Sequence, residues 1–121
     1  MPAFVIQEHN SSHLHWDFRL EIDKTLKSWA ITKIPPKKRN IKRLAIQVPD
    51  HDLSYANFEG EIKEGYGKGT VKIWDKGDYK LIEKNDKKIK IELRGNKLKG
   101  TYVLIYTGYG IKKNGWLFFR I

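Results

Sequence analysis

The feature that most constrains this chain is a strict alternation of apolar and polar residues over residues 13–21. Every even position in this segment is large and apolar, whereas every odd position is polar or charged. Because successive side chains of a strand point to opposite faces, the pattern predicts a strand with one apolar and one polar face. The same period recurs along most of the chain, and no segment keeps helical spacing for three turns. We therefore expect a mainly β structure.

The residues that follow this strand predict a hairpin and then a loop. Asp23-Lys24 offers a turn and residues 25–32 are typical of a returning strand, so we expect a β-hairpin over residues 14–32. Pro35-Pro36 cannot continue a central strand, because proline lacks the amide donor that a sheet requires. With the basic residues 37–40 after it, this segment indicates an exposed basic loop.

The second half of the chain reads as a series of short strands. An irregular segment, residues 49–69, is long enough to be a functional loop, and residues 75–78 predict a turn. Three glycines around Tyr66 indicate a tight turn or bulge, since no helix follows to form a phosphate-binding loop. The remaining predicted strands are residues 43–48, 71–74, 79–83, 89–93, 101–107 and 116–121.

The number of predicted strands decides the architecture. Eight or nine short strands must bury their apolar faces against one another, which leaves a closed barrel or a two-sheet sandwich. We favour an all-β fold, a small closed or partly open β-barrel of about eight strands. A chain of 121 residues fits one continuous core, so we expect a single domain over residues 1–121.

Charge and composition limit which classes of partner and metal ligand are possible. The chain carries 24 Lys and Arg against 14 Asp and Glu, and a net charge of +10 favours nucleic acid as the partner. The alternative is a solvated lysine-rich surface with no polyanion bound. With no cysteine, any metal must be held by His, Asp, Glu or backbone oxygen. Since no stretch approaches the roughly 20 apolar residues of a membrane span, we expect a cytoplasmic protein without a membrane partner.

The polar face of the alternating strand is the strongest candidate for chemistry. His15, Asp17 and Arg19 lie at positions i, i+2 and i+4, so their side chains emerge on one face roughly 7 Å apart. Imidazole and carboxylate suit a divalent metal such as manganese or zinc, and guanidinium suits a phosphate oxygen. His9 would add a third ligand if the chain folds back. Ordinary solvent-facing polar residues are the alternative, but three of the four histidines fall within seven residues.

Other candidates lie away from this strand. Lys33 and Arg43 could hold a phosphate oxygen, and His51 could stabilise the transferring group or protonate the leaving oxygen. The alternative for Lys33 and Arg43 is that they are solvated residues of a basic chain, which their residue type alone favours, whereas the position of His51 in the irregular loop favours a functional role. His13 shares the polar face of the strand, but we interpret it as a surface residue.

These residues belong to a longer ordered series, and through it the chain resembles the 3′-phosphoesterase domain of bacterial DNA ligase D and its stand-alone archaeal relatives. The resemblance covers nearly the whole chain. The residues that carry it are His9, His15-Trp16-Asp17-Phe18-Arg19-Leu20-Glu21, Leu26-Lys27-Ser28-Trp29-Ala30, Lys33, Arg43-Leu44-Ala45, Asp50-His51, Tyr55, Phe58-Glu59-Gly60, Glu64-Gly65, Gly69-Thr70-Val71, Trp74-Asp75 and Trp116-Leu117.

The resemblance implies a β-barrel enzyme of non-homologous end joining and DNA repair. Such an enzyme removes a 3′-phosphate, and also a 3′-terminal ribonucleoside, from a DNA or DNA/RNA primer-template end and leaves a 3′-hydroxyl. It implies Mn²⁺, or another divalent transition metal, held by His9, His15 and Asp17. The residues it implies for phosphate binding are Arg19, Lys33, Arg43 and His51, with Tyr55 in support.

One residue departs from the family pattern, because Pro49 stands where we expect an acidic residue. The absence of a carboxylate at this position would weaken the ribonucleoside-removing step more than phosphate removal. Ligase and polymerase partners would be separate proteins, and we expect the chain to be a monomer. The competing hypothesis is a non-catalytic basic β-barrel that binds nucleic acid by aromatic stacking. Most aromatic residues occupy apolar strand positions, which favours a core role for them.

Overall fold

The computed structural model describes residues 1–65 and 67–121, and nearly all of its regular structure is β. Tyr66, around which the glycine turn was predicted, lies outside the described residues. One short 3₁₀ helix spans Leu53–Asn57. The strands are β1 Ala3–Asn10, β2 Leu14–Ile22, β3 Thr25–Ile31, β4 Arg43–His51, β5 Gly60–Ile62, β6 Gly69–Asn85, β7 Lys88–Arg94, β8 Lys99–Tyr109 and β9 Gly115–Arg120.

Eight of these strands close into an antiparallel barrel, which confirms the predicted fold class. The strands follow the order β1-β2-β3-β4-β9-β8-β7-β6, and β1 also pairs with β6 and so closes the sheet. The short β5 pairs with the start of β6 and is not part of the closed ring. Closure leaves the eight ring strands without a long free edge, the usual hazard of a sheet.

The apolar side chains of the alternating strands point into the barrel interior. Phe18 of β2 lies against Phe118 of β9 with ring centroids 4.8 Å apart, and Trp29 meets Trp116 edge to face at 5.7 Å. Phe4, Ile6, Tyr79, Tyr102 and further aliphatic residues complete the core. Three of the four tryptophans are buried, which confirms that most aromatic residues are core residues. The polar phase of β1 and β2 therefore faces outward.

The β2–β3 hairpin forms as predicted, although its turn contains no glycine. Asp23 and Lys24 both adopt positive φ, 52° and 64°, as the two central residues of a type I′ turn do. Asp tolerates this conformation better than most residues because its short side chain can bond to the local backbone. The turn fixes the pairing of Ile22 with Thr25, and the register continues to Trp16 opposite Ile31.

The turn predicted at residues 75–78 is wrong, because β6 runs without interruption from Gly69 to Asn85. Along this strand β1 pairs with residues 70–78 and β7 pairs with residues 78–85, so the partner strand changes at Asp78. A bulge at Trp74 bends the strand shortly before this change of partner. Gly77 marks a close backbone approach, since a Cβ there would overlap the carbonyl oxygen of Arg94. The turn-like sequence reflects this crowding.

The segment at residues 49–69 is more ordered than predicted. Strand β4 continues to His51, passing Pro49 and Asp50 at a register shift where they lie opposite Lys27. A proline is tolerated there because a bulge leaves one residue outside the ladder. The 3₁₀ helix and β5 follow, so this part of the chain covers the outer face of β1.

The loop before β4 is only partly exposed, in contrast to the prediction. Lys37, Lys38, Arg39 and Asn40 are exposed, but Pro35 and Pro36 are buried. The hydroxyl of Tyr102 donates a 2.7 Å hydrogen bond to the carbonyl oxygen of Pro36, which anchors the loop on the barrel end. Within the two described ranges, no helix is long and apolar enough to cross a membrane.

Asp75 provides a test of how side-chain-to-backbone hydrogen bonds stabilise the barrel. Its buried carboxylate accepts hydrogen bonds from the amides of Asn96, Lys97 and Leu98, at 2.8–3.1 Å, and so fixes the β7–β8 turn. Because Asp75→Ala leaves these donors without a partner, we expect it to lower the free energy of unfolding by roughly 3 kcal/mol in urea denaturation. The control Asp86→Ala, at an exposed turn, should change it by less than about 0.5 kcal/mol. Equal effects would contradict this account.

Candidate active site

The register between β1 and β2 assembles the site on the outer face of the barrel. His9 lies directly opposite His15, and Gln7 lies opposite Asp17. Directly opposed residues of an antiparallel pair point to the same side of the sheet. The chain therefore does fold back at residues 11–13, as the prediction for His9 required.

The side chains of three residues converge on one carboxylate oxygen. Asp17 Oδ2 lies 3.6 Å from His9 Nδ1, 3.4 Å from His15 Nε2 and 3.5 Å from Arg19 Nη2. One ligand atom from each of His9, His15 and Asp17 lies within 4.8 Å of the other two. Their spacing is compatible with a shared metal ion, and their assignment as metal ligands stays a prediction.

Backbone carbonyl groups fix which nitrogen of each imidazole is free. His9 Nε2 lies 2.7 Å from the carbonyl oxygen of Gly67, and His15 Nδ1 lies 3.0 Å from that of His13. Because a carbonyl oxygen only accepts hydrogen bonds, these nitrogens carry the protons. In the neutral rings the lone pairs therefore sit on His9 Nδ1 and His15 Nε2, the two atoms that face Asp17. Metal-binding histidines are commonly oriented in this way.

The electrostatics of this cluster favour a charged carboxylate. Burial opposes ionisation of Asp17 most strongly, but the hydrogen bond with His15 and the charge of Arg19 outweigh it and lower its pKa. The hydrogen bond with Asp17 raises the pKa of His15, against the effect of burial. Without a metal, a proton on His15 Nε2 lies between this nitrogen and Asp17 Oδ2. A bound cation would take the same position.

Arg19 is buried and held on several sides. Its Nε donates to Gln7 Oε1 at 2.6 Å, and its Nη1 donates to Ser28 Oγ at 2.8 Å. Its guanidinium also lies over the Tyr55 ring, 4.9 Å from the centroid. Burial lowers the pKa of Arg19, yet an arginine stays charged in proteins. Its Nη2 remains directed towards Asp17 and the metal-binding cluster.

His51 and Tyr55 come from a segment distant from β1 and β2 in sequence, and both line the same cavity as the metal-binding cluster. Their rings lie 4.5 Å apart, and Tyr55 stacks in turn on Phe58 at 5.0 Å. Burial, followed by the charge of Arg19, lowers the pKa of His51, so its imidazole is neutral at neutral pH. Burial also raises the pKa of Tyr55, which keeps its hydroxyl protonated. Both residues can therefore donate a hydrogen bond to an anion.

The metal-binding cluster, Arg19, His51 and Tyr55 line an open cavity of about 1290 Å³. Its volume exceeds the roughly 300–1000 Å³ of small-molecule pockets, so it could admit the end of a polymer. Six of the predicted site residues line this cavity: His9, His15, Asp17, Arg19, His51 and Tyr55.

Two predicted phosphate ligands are not brought to the cavity. Lys33 is exposed and Arg43 Nε donates to the carbonyl oxygen of Ile34 at 2.9 Å, and neither lines the cavity. Their phosphate contacts stay a prediction. His13 is exposed and precedes the first residue of β2, as predicted for a surface residue, and it also lines the cavity. Pro49 lines the cavity, whereas the neighbouring Asp50 forms an ion pair with Lys27 at 3.0 Å.

Sequence reasoning missed Gln7 and Lys68. Gln7 is fully buried, accepts from Arg19 and donates to the carbonyl oxygens of Tyr55 and Phe58, so it ties the 3₁₀ helix to β1. A polar residue two positions before His9 was the available signal. Lys68 lines the cavity beside the Gly67 carbonyl group, but one lysine among many carries no sequence signal of its own.

Comparisons with known proteins agree with this geometry. The family model described as the DNA ligase D 3′-phosphoesterase domain matches residues 7–106. The chain belongs to this family. Over 119 residues it is 44% identical to the multifunctional non-homologous end joining protein LigD of Pseudomonas aeruginosa, an alignment that covers 93% of the chain and 14% of that protein.

Other members of the DNA ligase D family match over similar spans. The multifunctional non-homologous end joining DNA repair protein LigD of Mycobacterium tuberculosis is 44% identical over 110 residues, covering 87% of this chain and 14% of that protein. LigD of Mycolicibacterium smegmatis is 39% identical over 130 residues, covering 98% and 16%. The chain thus corresponds to a small part of each of these relatives.

The pairing of His15 with Asp17 can be measured by NMR titration of the metal-free protein. We expect the imidazole of His15 to titrate above its ordinary pKa of 6.5, because the Asp17 carboxylate stabilises the protonated ring. Asp17→Asn should lower this pKa, and Asp50→Asn, which removes a carboxylate paired with Lys27, should leave it unchanged. A His15 pKa at or below 6.5 in the unsubstituted chain would contradict the assigned pairing.

Proposed function

We propose that this chain is a metal-dependent phosphoesterase that removes a 3′-phosphate from a nucleic-acid end and leaves a 3′-hydroxyl. The observation that carries the proposal is the convergence of His9 Nδ1, His15 Nε2 and Asp17 Oδ2, with the lone pairs of both imidazoles facing the carboxylate. Bringing three such groups together is costly unless a cation or a proton lies between them. Membership of the 3′-phosphoesterase domain family supports the same reaction.

We propose Mn²⁺ as the metal, because two imidazoles and one carboxylate suit a borderline divalent ion. His9, His15 and Asp17 would hold it, and another divalent transition metal would also fit these ligands. When bound, the ion would supply Lewis-acid polarisation of the phosphate ester. The carbonyl groups of Gly67 and His13 would keep both imidazoles in the tautomer that binding requires.

The other cavity residues would act on the phosphate. Arg19 is fixed by Gln7 and Ser28, so its free edge would meet a phosphate oxygen with little loss of side-chain entropy. Because the pKa of His51 is lowered, a neutral imidazole that donates a hydrogen bond to the transferring group fits better than a general acid. Tyr55 would support both residues, since it stacks on His51 and lies under the guanidinium of Arg19.

We propose that Lys33 and Arg43 contact the phosphate as well, through movement of side chains that now lie outside the cavity. Arg43 is held by a single hydrogen bond to a loop carbonyl oxygen and Lys33 is exposed, so neither residue has to leave a buried position.

The proposed substrates are 3′ ends of DNA or of DNA/RNA primer-templates in end-joining repair. The net charge of +10 would attract such polyanions, and Lys68 brings one positive charge to the cavity wall. Ligase and polymerase activities would then use the 3′-hydroxyl. The LigD relatives carry non-homologous end joining in their names, which supports this role.

Removal of a 3′-terminal ribonucleoside is proposed as the weaker activity. Pro49 lines the cavity where a carboxylate is expected, and its side chain can neither accept a proton nor bind a ribose hydroxyl. Asp50 does not replace it, because its carboxylate is paired with Lys27 on the surface.

The binding-only hypothesis predicts exposed aromatic rings on which bases stack. Most aromatic side chains, Trp16, Trp29 and Trp116 among them, are instead buried in the barrel, although Tyr109 is exposed. A purely binding protein would also have no need for two oriented imidazoles around a buried carboxylate. The enzyme hypothesis therefore accounts for more of the site.

A primer-template with a 3′-phosphate tests the proposal. We expect conversion to a 3′-hydroxyl with Mn²⁺ and none with a chelator. His15→Ala should lower the rate by more than about 100-fold, since loss of a ligand should exceed the 10- to 100-fold cost of losing a group that only orients one. The control Asp86→Ala removes an exposed side chain at the β6–β7 turn, away from the cavity, so it should retain most activity.

The same assay with a 3′-terminal ribonucleoside should give slower turnover than phosphate removal. Full activity of His15→Ala, or turnover in the chelator, would contradict the proposed site. Salt-sensitive binding without processing of either end would instead support the binding-only hypothesis.

A further inference from the structure

The end of β8 and the connection to β9 expose apolar and basic side chains together. Residues 108–114, which we call the hairpin tip, include Tyr109 at 64% exposure and a fully exposed Ile111. Lys112 and Lys113 beside them are exposed too, and the hairpin tip contains no acidic residue. A single exposed apolar residue is ordinary, but an aromatic, an aliphatic and two lysines on one projection favour an interaction surface.

Hydrogen bonds hold the hairpin tip in a defined shape. The Tyr106 hydroxyl donates to the carbonyl oxygen of Lys113 at 2.6 Å, and the Lys113 amide donates to that of Gly110 at 3.1 Å. Thr107 Oγ1 donates to the carbonyl oxygen of Gly115 at 3.1 Å. The exposed side chains are thus presented by an ordered backbone, which lowers the entropy that binding must offset.

The hairpin tip lies next to the wall of the cavity. Gly115 pairs with Ile46, which lines the cavity, and Tyr109 pairs with Gly115 on the other side. Two strand spacings, about 10 Å, therefore separate the backbone of Tyr109 from that of Ile46. A Cβ on Gly115 would lie 2.7 Å from Tyr109 Cβ, so the Tyr109 side chain leaves the sheet on the cavity side.

We propose that the hairpin tip binds the nucleic-acid strand whose 3′ end enters the cavity, with Tyr109 stacked on a base and Lys112 and Lys113 on phosphates. This inference rests on the proposed function and extends it to a second contact. A strand of nucleic acid carries both the negative charge and the flat apolar rings that such a surface recognises. Tyr109, Gly115, Ile46, Ala30 and Asp17 are paired across successive strands, so four spacings, about 19 Å along the sheet, separate Tyr109 from the metal-binding cluster, or roughly five to six stacked nucleotides at 3.4 Å each.

The test measures binding without turnover. A fluorescent single strand of about twelve deoxynucleotides with a 3′-phosphate is titrated with the full chain in chelator, and anisotropy gives Kd. Tyr109→Ala should raise Kd between about fivefold and 100-fold, whereas Tyr109→Phe, which keeps the ring, should stay near the wild-type value. Circular dichroism and the urea midpoint establish that each variant is folded.

The lysines are tested by the salt dependence of binding. Lys113 has a positive φ of 54°, so it is replaced by Asn, which tolerates this conformation. The pair Lys112→Gln/Lys113→Asn should reduce the slope of log K against log salt by about 1.4. The control Lys84→Gln/Lys87→Gln removes two exposed lysines at the β6–β7 turn, and it should reduce this slope by less.

The outcomes separate this inference from the proposed function. If Tyr109→Ala binds the strand as tightly as the wild type, or if the control pair reduces the slope equally, the hairpin tip does not hold the strand. Such a result would leave a protein partner as its occupant and overturn the inference. If the strand binds through Tyr109 but no phosphate is ever released in Mn²⁺, only the proposed reaction fails.

Discussion

The antiparallel pairing of β1 with β2 is the constraint on which the rest of the structure depends. One phase of the two strands supplies Phe4, Ile6 and Phe18 to the barrel core, and the other places His9 opposite His15 on the outer face. A shift of one residue would exchange these faces, so core packing and site geometry stabilise the same register. Moving the histidines apart would also expose the core residues, and a rigid barrel strand is a suitable support for a site that needs exact ligand positions.

Backbone carbonyl groups orient several side chains of this site. The carbonyl oxygens of Gly67 and His13 select the imidazole tautomers, and those of Tyr55 and Phe58 hold Gln7, which in turn orients Arg19. The segment that covers β1 therefore fixes ligand orientation from outside the two strands. Arg19 and Asp17 stabilise each other's charge in a buried setting, where an unpaired charge would be costly.

The strand pattern and the barrel could be predicted because alternation reports directly which face each residue occupies. Residues 75–78 were misread as a turn, since an Asp-Lys-Gly-Asp segment at a crowded bulge resembles a turn in sequence. His15, Asp17 and Arg19 followed from one strand, but His9 required the fold-back, and His51 and Tyr55 arrive from a segment distant in sequence. The role of Gln7 and the tautomers depend on contacts that no periodicity reports.

The most direct test of the account is a crystal of the chain soaked with Mn²⁺, with data collected to locate the metal by its anomalous scattering. We expect one strong peak bonded to Nδ1 of His9, Nε2 of His15 and a carboxylate oxygen of Asp17, because the carbonyl groups of Gly67 and His13 occupy the other ring nitrogens. No peak at these atoms, or an ion bonded to Nε2 of His9 with the Gly67 contact broken, would contradict it.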